Sequence, residues 1–493
     1  MEVCTKTTPN SFASRALHLH RFLKRRLVGG LLAPVRETTT AVAAAAPSLE
    51  LRRIGDDALA VDVDALLLKP SPSAVFSPYF LVAVEAGGYI RGLVLLALYP
   101  VLRVLSHEAR VRAMAMVAFC GLRRDDAARI GRAVLPKHFF REAADMHALE
   151  SVAALAKEAK VGAVTRSFPT VMVDAFLTEY VGFDVVAGSE LKGGHRSLTG
   201  VMEPGESDTK GLGLVLKRTE KKKNDSVEYP RSMVFHDGRL AFTPTPAAAF
   251  AMYVYLPFAV VLAVVRIAIY VLLPWRLSSV VAGLTGVRVR VIGAAPPPAG
   301  GADGGRLYAC NHRTLLDPVG IACALRRPVA AVTYSLSRLS EVLSPIPLRR
   351  LTRSREEDRR RMASMLARGD VVVCPEGTTC RAPYLLRFSP LFAELASEVT
   401  PVAVDARTDV FYATSTSPVA KSFDSVYFLM NPRPEYSVQF LEPVNTESGK
   451  SSIEVANEVQ GALAAALGFE GTALTRKDKY LLLAGNEGVV KIK

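Results

Sequence analysis

Two short segments of this chain carry side chains that together would perform acyl transfer to a hydroxyl. Asn311-His312-Arg313-Thr314-Leu315-Leu316-Asp317-Pro318 sets a carboxylate five residues after a histidine, and Pro375-Glu376-Gly377-Thr378 follows downstream. An ester forms when a hydroxyl attacks a thioester; the hydroxyl needs a base, and the base must be held in one tautomer. Five residues is not a same-face helical spacing, since it separates two side chains by ~140°. The pair is therefore expected to meet through a turn, with His312 on a loop after the short strand Leu307–Cys310. Asp317 then begins the next helix, with Pro318 in its first position. One imidazole nitrogen donates to Asp317 and the other takes the alcohol proton, the logic of a hydrolase triad without its serine. The plain alternative makes Asp317 a helix cap and His312 a surface residue.

The second segment follows the apolar strand Val371–Cys374. Gly377 permits a backbone approach that a side chain would block, and Thr378, Thr379 and the main-chain amides would hold a phosphate or a developing oxyanion. The alternative is an ordinary β-turn. Between the two segments lies Arg349-Arg350-Leu351-Thr352-Arg353-Ser354-Arg355. Arginine forks match phosphate oxygens, which suits a phosphorylated acceptor; a solvated basic surface is the alternative.

The elements that must position these residues belong to a chain of 493 residues, too long for one ordinary domain. Half of the residues are hydrophobic, and the mean hydropathy of +0.22 is high for a soluble enzyme and low for a polytopic carrier. The net charge of +14 suits an anionic partner, a phospholipid surface or phosphate-bearing substrates. Nucleic acid is not expected, because the basic residues are scattered and no finger, zipper or RNA-binding signature is present. Cys4, Cys120, Cys310, Cys323, Cys374 and Cys380 pair in no metal-ligand spacing and read as reduced, buried thiols facing a cytosol-like compartment.

Residues 1–45 are poor in acidic groups, with Arg15, Arg21, Lys24, Arg25 and Arg26 and an alanine run from Ala41 to Ala46. A mitochondrial presequence looks like this, and so does a basic tail beside a membrane, the favoured reading. A strand-like run from Leu51 to Leu68 carries Asp62 and Asp64; residues 75–160 read as several helices; Val161–Thr165 reads as a second strand. Residues 203–231, with cations between Lys217 and Lys223, form a linker or solvated loop. The apolar stretch from Ala247 to Trp275 meets the ~20 residues needed to span a bilayer, with Pro257 kinking it. An earlier stretch, Tyr79–Leu105, is interrupted by Glu85, Arg91 and Arg103; its longest clean piece, Gly92–Leu102, is too short to span alone and reads as a buried cap helix or half of a re-entrant pair. Beyond the Pro-rich Ala294–Gly301 boundary, strands alternate with helices: Leu307–Cys310, a helix from Pro318, Val329–Tyr334, a helix near Glu356–Ala367, Val371–Cys374 and Val399–Val404. This is an α/β pattern.

Residues 233 onward resemble the land-plant membrane-bound glycerol-3-phosphate acyltransferases of cutin and suberin formation. The matching stretches are Val234–Leu240, Asn311–Pro318, Tyr334–Glu341, Cys374–Arg381 and Thr475–Tyr480. Residues 51–200 resemble that family's haloacid dehalogenase-like N-terminal domain. The resemblance implies acyl transfer from acyl-CoA to glycerol 3-phosphate with sn-2 preference, His312 as base and Asp317 as its orienter. It also implies that Arg353, Glu376, Gly377 and Thr378 bind glycerol 3-phosphate. The implied fold is α/β throughout: a Rossmannoid N-terminal domain, one or more membrane-embedded helices and a C-terminal acyltransferase domain. The expected boundaries are a tail over 1–50, the dehalogenase-like domain over 51–205, a linker over 206–232, a membrane region over 233–293 and the catalytic domain over 294–493. The expected setting is the endoplasmic reticulum membrane with the catalytic domain facing the cytosol, or else a mitochondrial membrane. No cofactor or metal is expected.

A phosphatase of the dehalogenase type needs an aspartate nucleophile, a second acid two residues on, a hydroxyl residue at the next strand end and an acidic pair for Mg²⁺. Asp62, Asp64 and Thr165 fit the first three, but Ala65-Leu66 stands where Gly-Thr is expected. Gly205-Glu206-Ser207-Asp208 is a poor stand-in for the metal acids, so the Mg²⁺ site lacks the charge that would neutralise a phosphoryl group. The domain reads as a vestigial scaffold. The competing readings are an acyltransferase for another lysophospholipid, a bifunctional enzyme releasing 2-monoacylglycerol, a phospholipid phosphatase run from Asp62, and a non-catalytic lipid-binding protein.

Overall fold

The computed structural model describes residues 51–54, 58–67, 74–142, 151–152, 154, 160–194, 197–203, 235–298, 304–333, 341–447 and 449–486. The basic tail, the polar 206–232 stretch with its lysine run, the Gly205–Asp208 acids and residues 334–340 lie outside them. The chain divides into two compact units, Met1–Pro230 and Arg231–Lys493.

The first unit is built on four strands, β1 (Leu51–Ile54), β2 (Ala58–Asp62), β3 (Lys160–Thr165) and β4 (Val185–Gly188), in that spatial order. The β1–β2 pair is antiparallel and the rest are parallel. A hairpin, β5 (Glu190–Gly193) and β6 (Leu198–Glu203), follows. The strand expected to run on to Leu68 stops at Asp62. There Asp62 Oδ1 accepts the Asp64 N–H at 3.1 Å, and Asp64 opens the short helix α1 (Asp64–Leu67). An aspartate side chain that captures a neighbouring amide competes with the ladder and ends it. The apolar Tyr79–Leu105 region is three short helices broken at Gly88, and the first of them, α2 (Phe76–Gly87), is buried through Val84.

The second unit opens with α3 (Pro246–Leu272), 27 residues long, capped by the Thr245 hydroxyl and carrying Pro257 inside. Among the described residues it is the one helix long and apolar enough to cross a membrane, by length and composition. Phe250, Val254, Phe258, Val261 and Val264 stand exposed on it, whereas Arg266 is fully buried. That arginine, which interrupts the apolar run, points inward. Its guanidinium donates to the carbonyls of Leu429 and Asn431 at 2.6 Å, Thr285 at 2.5 Å and Pro432 at 3.1 Å.

A sheet of eight strands fills the centre of this unit. They are β7 (Arg288–Ile292), β8 (Leu307–Cys310), β9 (Ala330–Thr333), β10 (Leu348–Arg350), β11 (Val371–Val373), β13 (Glu398–Arg407), β14 (Glu435–Phe440) and β15 (Val444–Asn445). Their order is β10-β9-β11-β8-β13-β14-β7, with β15 against β13 and with β12 (Tyr384–Leu385) lying outside this sheet. The first five run parallel; β14 is antiparallel to β13 and parallel to β7. The Pro-rich Ala294–Gly301 stretch therefore joins two strands of one sheet. The helices α4 (Asp317–Leu325), α5 (Arg355–Leu366) and α7 (Ser452–Leu467) pack on it, α6 (Asp424–Met430) packs on α3, and α8 (Arg476–Ala484) follows α7. β8 and β11 are buried at every position, as parallel strands covered on both faces must be. Leu307, Ala309, Val371, Val373, Val399 and Leu463 belong to the core that fixes them.

Candidate active site

The two segments meet because β8 and β11 are neighbours in parallel register, Val373 opposite Ala309. The residues just past their ends are consequently neighbours too. The Cys310 and Cys374 sulfurs lie 3.5 Å apart, and the His312 N–H donates to Glu376 Oε1 at 2.6 Å; both pairs are separated by 64 positions in the chain. Asn311 continues the β8 ladder with its side chain, accepting the Val404 N–H and donating to the Val404 carbonyl, both at 2.8 Å. His312 thus leaves the sheet from a fixed point, and its carbonyl accepts the Cys380 N–H at 2.7 Å.

Asp317 is fully buried at the start of α4. Its Oδ2 accepts from His312 Nδ1 at 3.0 Å and from the Arg313 N–H at 2.5 Å; its Oδ1 accepts the Thr314 N–H at 2.9 Å and the Thr314 hydroxyl at 3.0 Å. Because a carboxylate only accepts here, Nδ1 carries its hydrogen and Nε2 is left for a substrate proton. Asp317 is both turn-holder and imidazole partner, so the two readings drawn from the sequence coexist in one side chain.

Cys374 lies beside the ring. Its sulfur, an Asp317 oxygen and an imidazole nitrogen fall within 4.8 Å of one another. These are ligand types that zinc accepts, but the Asp317 oxygens are committed to protein donors. The hydrogen bond from Cys310 and the charge of His312 favour the Cys374 thiolate against burial and bring it down to about 6. Burial lowers the His312 imidazole, but Cys374 and Asp317 together outweigh burial and lift it to about 10. Between those values the two groups share one proton.

Glu376 is buried, accepting from His312 N–H through one oxygen and from the Leu386 N–H at 2.8 Å through the other. Burial, partly offset by those two amides, pushes its carboxyl up to about 7. Gly377 has φ 67°, and a Cβ there would meet nothing within 4 Å. The left-handed backbone, rather than lack of room, is what requires glycine. Thr378 is buried beside it.

His312, Cys374 and Gly377 open onto a cavity of about 250 Å³. Its walls are apolar: Ile267 and Tyr270 of α3, Val319 of α4, Ile346, and Phe428 of α6. Arg353 is not among the residues lining it. That arginine is exposed, with φ 69° and its N–H donated to Asp358 at 2.9 Å. Its neighbours are largely spoken for: Arg350 pairs with Glu341 at 2.7 Å, and Arg355 with Glu394.

In the first unit, Thr165 and Asp64 come together, the Thr165 hydroxyl donating to Asp64 Oδ1 at 2.8 Å. Asp64 Oδ2 accepts the Arg166 and Ser167 N–H groups at 3.0 and 2.8 Å. Asp64 thereby ties down the loop after β3.

The site thus sets a histidine–aspartate pair at the ends of the central strands β8 and β11, beside a largely apolar cavity. A family model described as acyltransferase matches residues 288–411, and one described as the HAD-like domain of RAM2-like glycerol-3-phosphate acyltransferases matches residues 58–240. The chain belongs to the plant glycerol-3-phosphate acyltransferase family. Glycerol-3-phosphate acyltransferase 1 of Arabidopsis thaliana is 41% identical over 88% of this chain and 82% of its own. Glycerol-3-phosphate acyltransferase RAM2 of Petunia hybrida is 40% identical over 84% of this chain and 95% of its own. Among solved structures, the 1-acyl-sn-glycerophosphate acyltransferase PlsC of Thermotoga maritima aligns over 44% of this chain at 14% identity, with a TM-score of 0.30.

Proposed function

We propose that this protein transfers an acyl group from acyl-CoA to glycerol 3-phosphate, favouring the sn-2 hydroxyl and releasing lysophosphatidic acid. The observation that carries the reading is His312, held by Asp317 at the mouth of an apolar cavity, in a chain 41% identical to a named glycerol-3-phosphate acyltransferase. The acyl chain lies in the cavity with its thioester at His312. Nε2 takes the proton of the acceptor hydroxyl as the oxygen attacks the carbonyl, Asp317 stabilises the imidazolium, and CoA leaves as the thiol after receiving that proton. Glu376 acts as a brace that fixes the His312 backbone. The Gly377–Thr378 turn and Arg353 serve the phosphate and the developing oxyanion; a non-glycine residue held at positive φ supports a special role for Arg353.

In this reading α3 is embedded in the endoplasmic reticulum membrane and the catalytic unit faces the cytosol. The exposed apolar face of α3 and the reduced thiols support that placement. The dehalogenase-like unit is a scaffold: Asp64 spends both oxygens on protein donors, leaving Asp62 without the second acid that phosphoryl transfer needs. The deciding experiment incubates membranes containing the protein with acyl-CoA and labelled glycerol 3-phosphate. Acyl-glycerophosphate that disappears in His312→Ala is expected; monoacylglycerol as main product would overturn the scaffold reading, and no labelled lipid at all would overturn the acceptor.

A further inference from the structure

The sequence carries one motif to which the reaction above gives no work, Thr475-Arg476-Lys477-Asp478-Lys479-Tyr480. Half of it is architecture. Thr475 and Asp478 close a capping box at the start of α8, the Asp478 carboxylate accepting the Thr475 N–H at 2.7 Å. The other half reaches the active-site turn. Lys479 is buried and its ammonium donates to the Thr379 carbonyl. Tyr480 is buried beside it, and its hydroxyl accepts from Lys421 Nζ at 3.3 Å. Burial raises the Tyr480 phenol, but the cations of Lys421 and Lys479 outweigh it, so the phenol sits below its ordinary value.

Lys421 ends the short helix Pro418–Lys421 and lines the same cavity as His312, Cys374 and Gly377. Among the described residues it makes no ion pair. The nearby carboxylates have other cations as their closest partners: Asp424 pairs with Arg239 at 2.7 Å, and Asp237 with Arg381 at 4.0 Å. A half-buried lysine, its ammonium held by a phenol and in no ion pair among the described residues, thus lines the same largely apolar cavity as the base.

We propose that Lys421 binds the phosphate of the acceptor, and that α8 positions it through Tyr480 while Lys479 holds the Thr378–Thr379 turn against the same site. The inference rests on the acceptor assigned above. It separates the head group, a phosphomonoester seized by a lysine in the His312 cavity, from the acyl chain, which takes the apolar walls. Arg353, which does not line that cavity, is then a secondary contact. Lysine suits the task as a point charge on a flexible stem that follows the phosphate while the hydroxyl is brought to Nε2.

The test compares wild type with Lys421→Met, Lys421→Arg and Tyr480→Phe as full chains in membranes, varying glycerol 3-phosphate and acyl-CoA in turn. Loss of one charge-assisted hydrogen bond predicts a rise of about 10- to 100-fold in KM for glycerol 3-phosphate in Lys421→Met. KM for acyl-CoA should stay within about twofold, because uniform binding of one substrate alone is removed. Arginine should restore most of the loss, and Tyr480→Phe should raise the same KM by a few-fold with kcat little changed. Inorganic phosphate should compete with glycerol 3-phosphate in wild type and much less in Lys421→Met. An unchanged KM for glycerol 3-phosphate, or an equal rise for acyl-CoA, overturns the assignment to the acceptor phosphate. A wild type that ignores glycerol 3-phosphate but acylates a lysophospholipid overturns the acceptor instead, and the same variants on that acceptor still decide the role of the lysine.

Discussion

Asp317→Asn separates what Asp317 does for the fold from what it does for the reaction. The carboxylate serves four donors: His312 Nδ1, the Arg313 and Thr314 amides and the Thr314 hydroxyl. Asparagine keeps one oxygen. Placed where Oδ2 lies, that oxygen still reaches His312, Arg313 and the Thr314 N–H, the last at 3.0 Å. The new NH₂ then faces the Thr314 hydroxyl, whose oxygen already accepts the Leu316 N–H at 3.0 Å and touches the Tyr436 hydroxyl. One buried donor is left unmatched at a cost of about 1–3 kcal/mol. That corresponds to a fall of roughly 2–10 °C in the apparent Tm of the solubilised protein. Turnover should suffer far more, because a neutral amide cannot stabilise the imidazolium; about 10³- to 10⁴-fold in kcat is expected. The assay is kcat at saturating substrates beside a melting curve on the same preparation. A variant that melts early yet turns over within about threefold of wild type would refute the orienting role and leave Asp317 a turn-holder.

Activity should fall as the pH drops below about 6, where the His312–Cys374 pair takes a second proton and the ring can no longer accept one; full kcat/KM at pH 5 would contradict this. Glu376 has a folded pKa of about 7, above its ordinary 4.5, so the folded state binds more protons between those values and stability falls as pH rises through that window. Glu376→Gln should remove this dependence, about 3 kcal/mol of difference between variant and wild type across the window, read from denaturation midpoints at pH 4.5 and 7.5. Arg353→Ala should raise KM for glycerol 3-phosphate by less than Lys421→Met does; an equal or larger rise would make Arg353 the main phosphate contact. Asp62→Asn should leave the ratio of acyl-glycerophosphate to monoacylglycerol unchanged, as thin-layer separation of labelled products would show.

Local chemistry was legible in the sequence wherever neighbours in the chain are neighbours in space. The His312–Asp317 turn, the buried runs of β8 and β11 and the helix around Glu356 all announce themselves through spacing and composition. What depends on strand register was not. Cys374 reads as a small buried hydrophobe until β11 is laid beside β8, which puts its sulfur against Cys310 and the imidazole. For Glu376, which the resemblance makes a glycerol 3-phosphate ligand, the same register brings its oxygens onto the His312 and Leu386 N–H groups, a contact that no spacing announced. The strand at Asp62 ended early because its own side chain took the next-but-one amide, a local competition that alternation of apolar residues cannot reveal. Lys421 and Tyr480 lie 59 positions apart and carried no common signal at all.

The parallel register of β8 and β11 also divides the labour of the chain. Base, orienter, thiol and brace all hang from one strand pair and the few residues beyond its ends. The long excursion between the strands begins at the orienter, Asp317 at the head of α4, and runs through β9, which pairs with β11, so that only its farther part around β10 and Arg353 lies off the pair. That farther part can change sequence while the reacting groups keep their places. A slip of β8 against β11 would displace base, orienter, thiol and brace together, whereas a change around β10 leaves all four where they are.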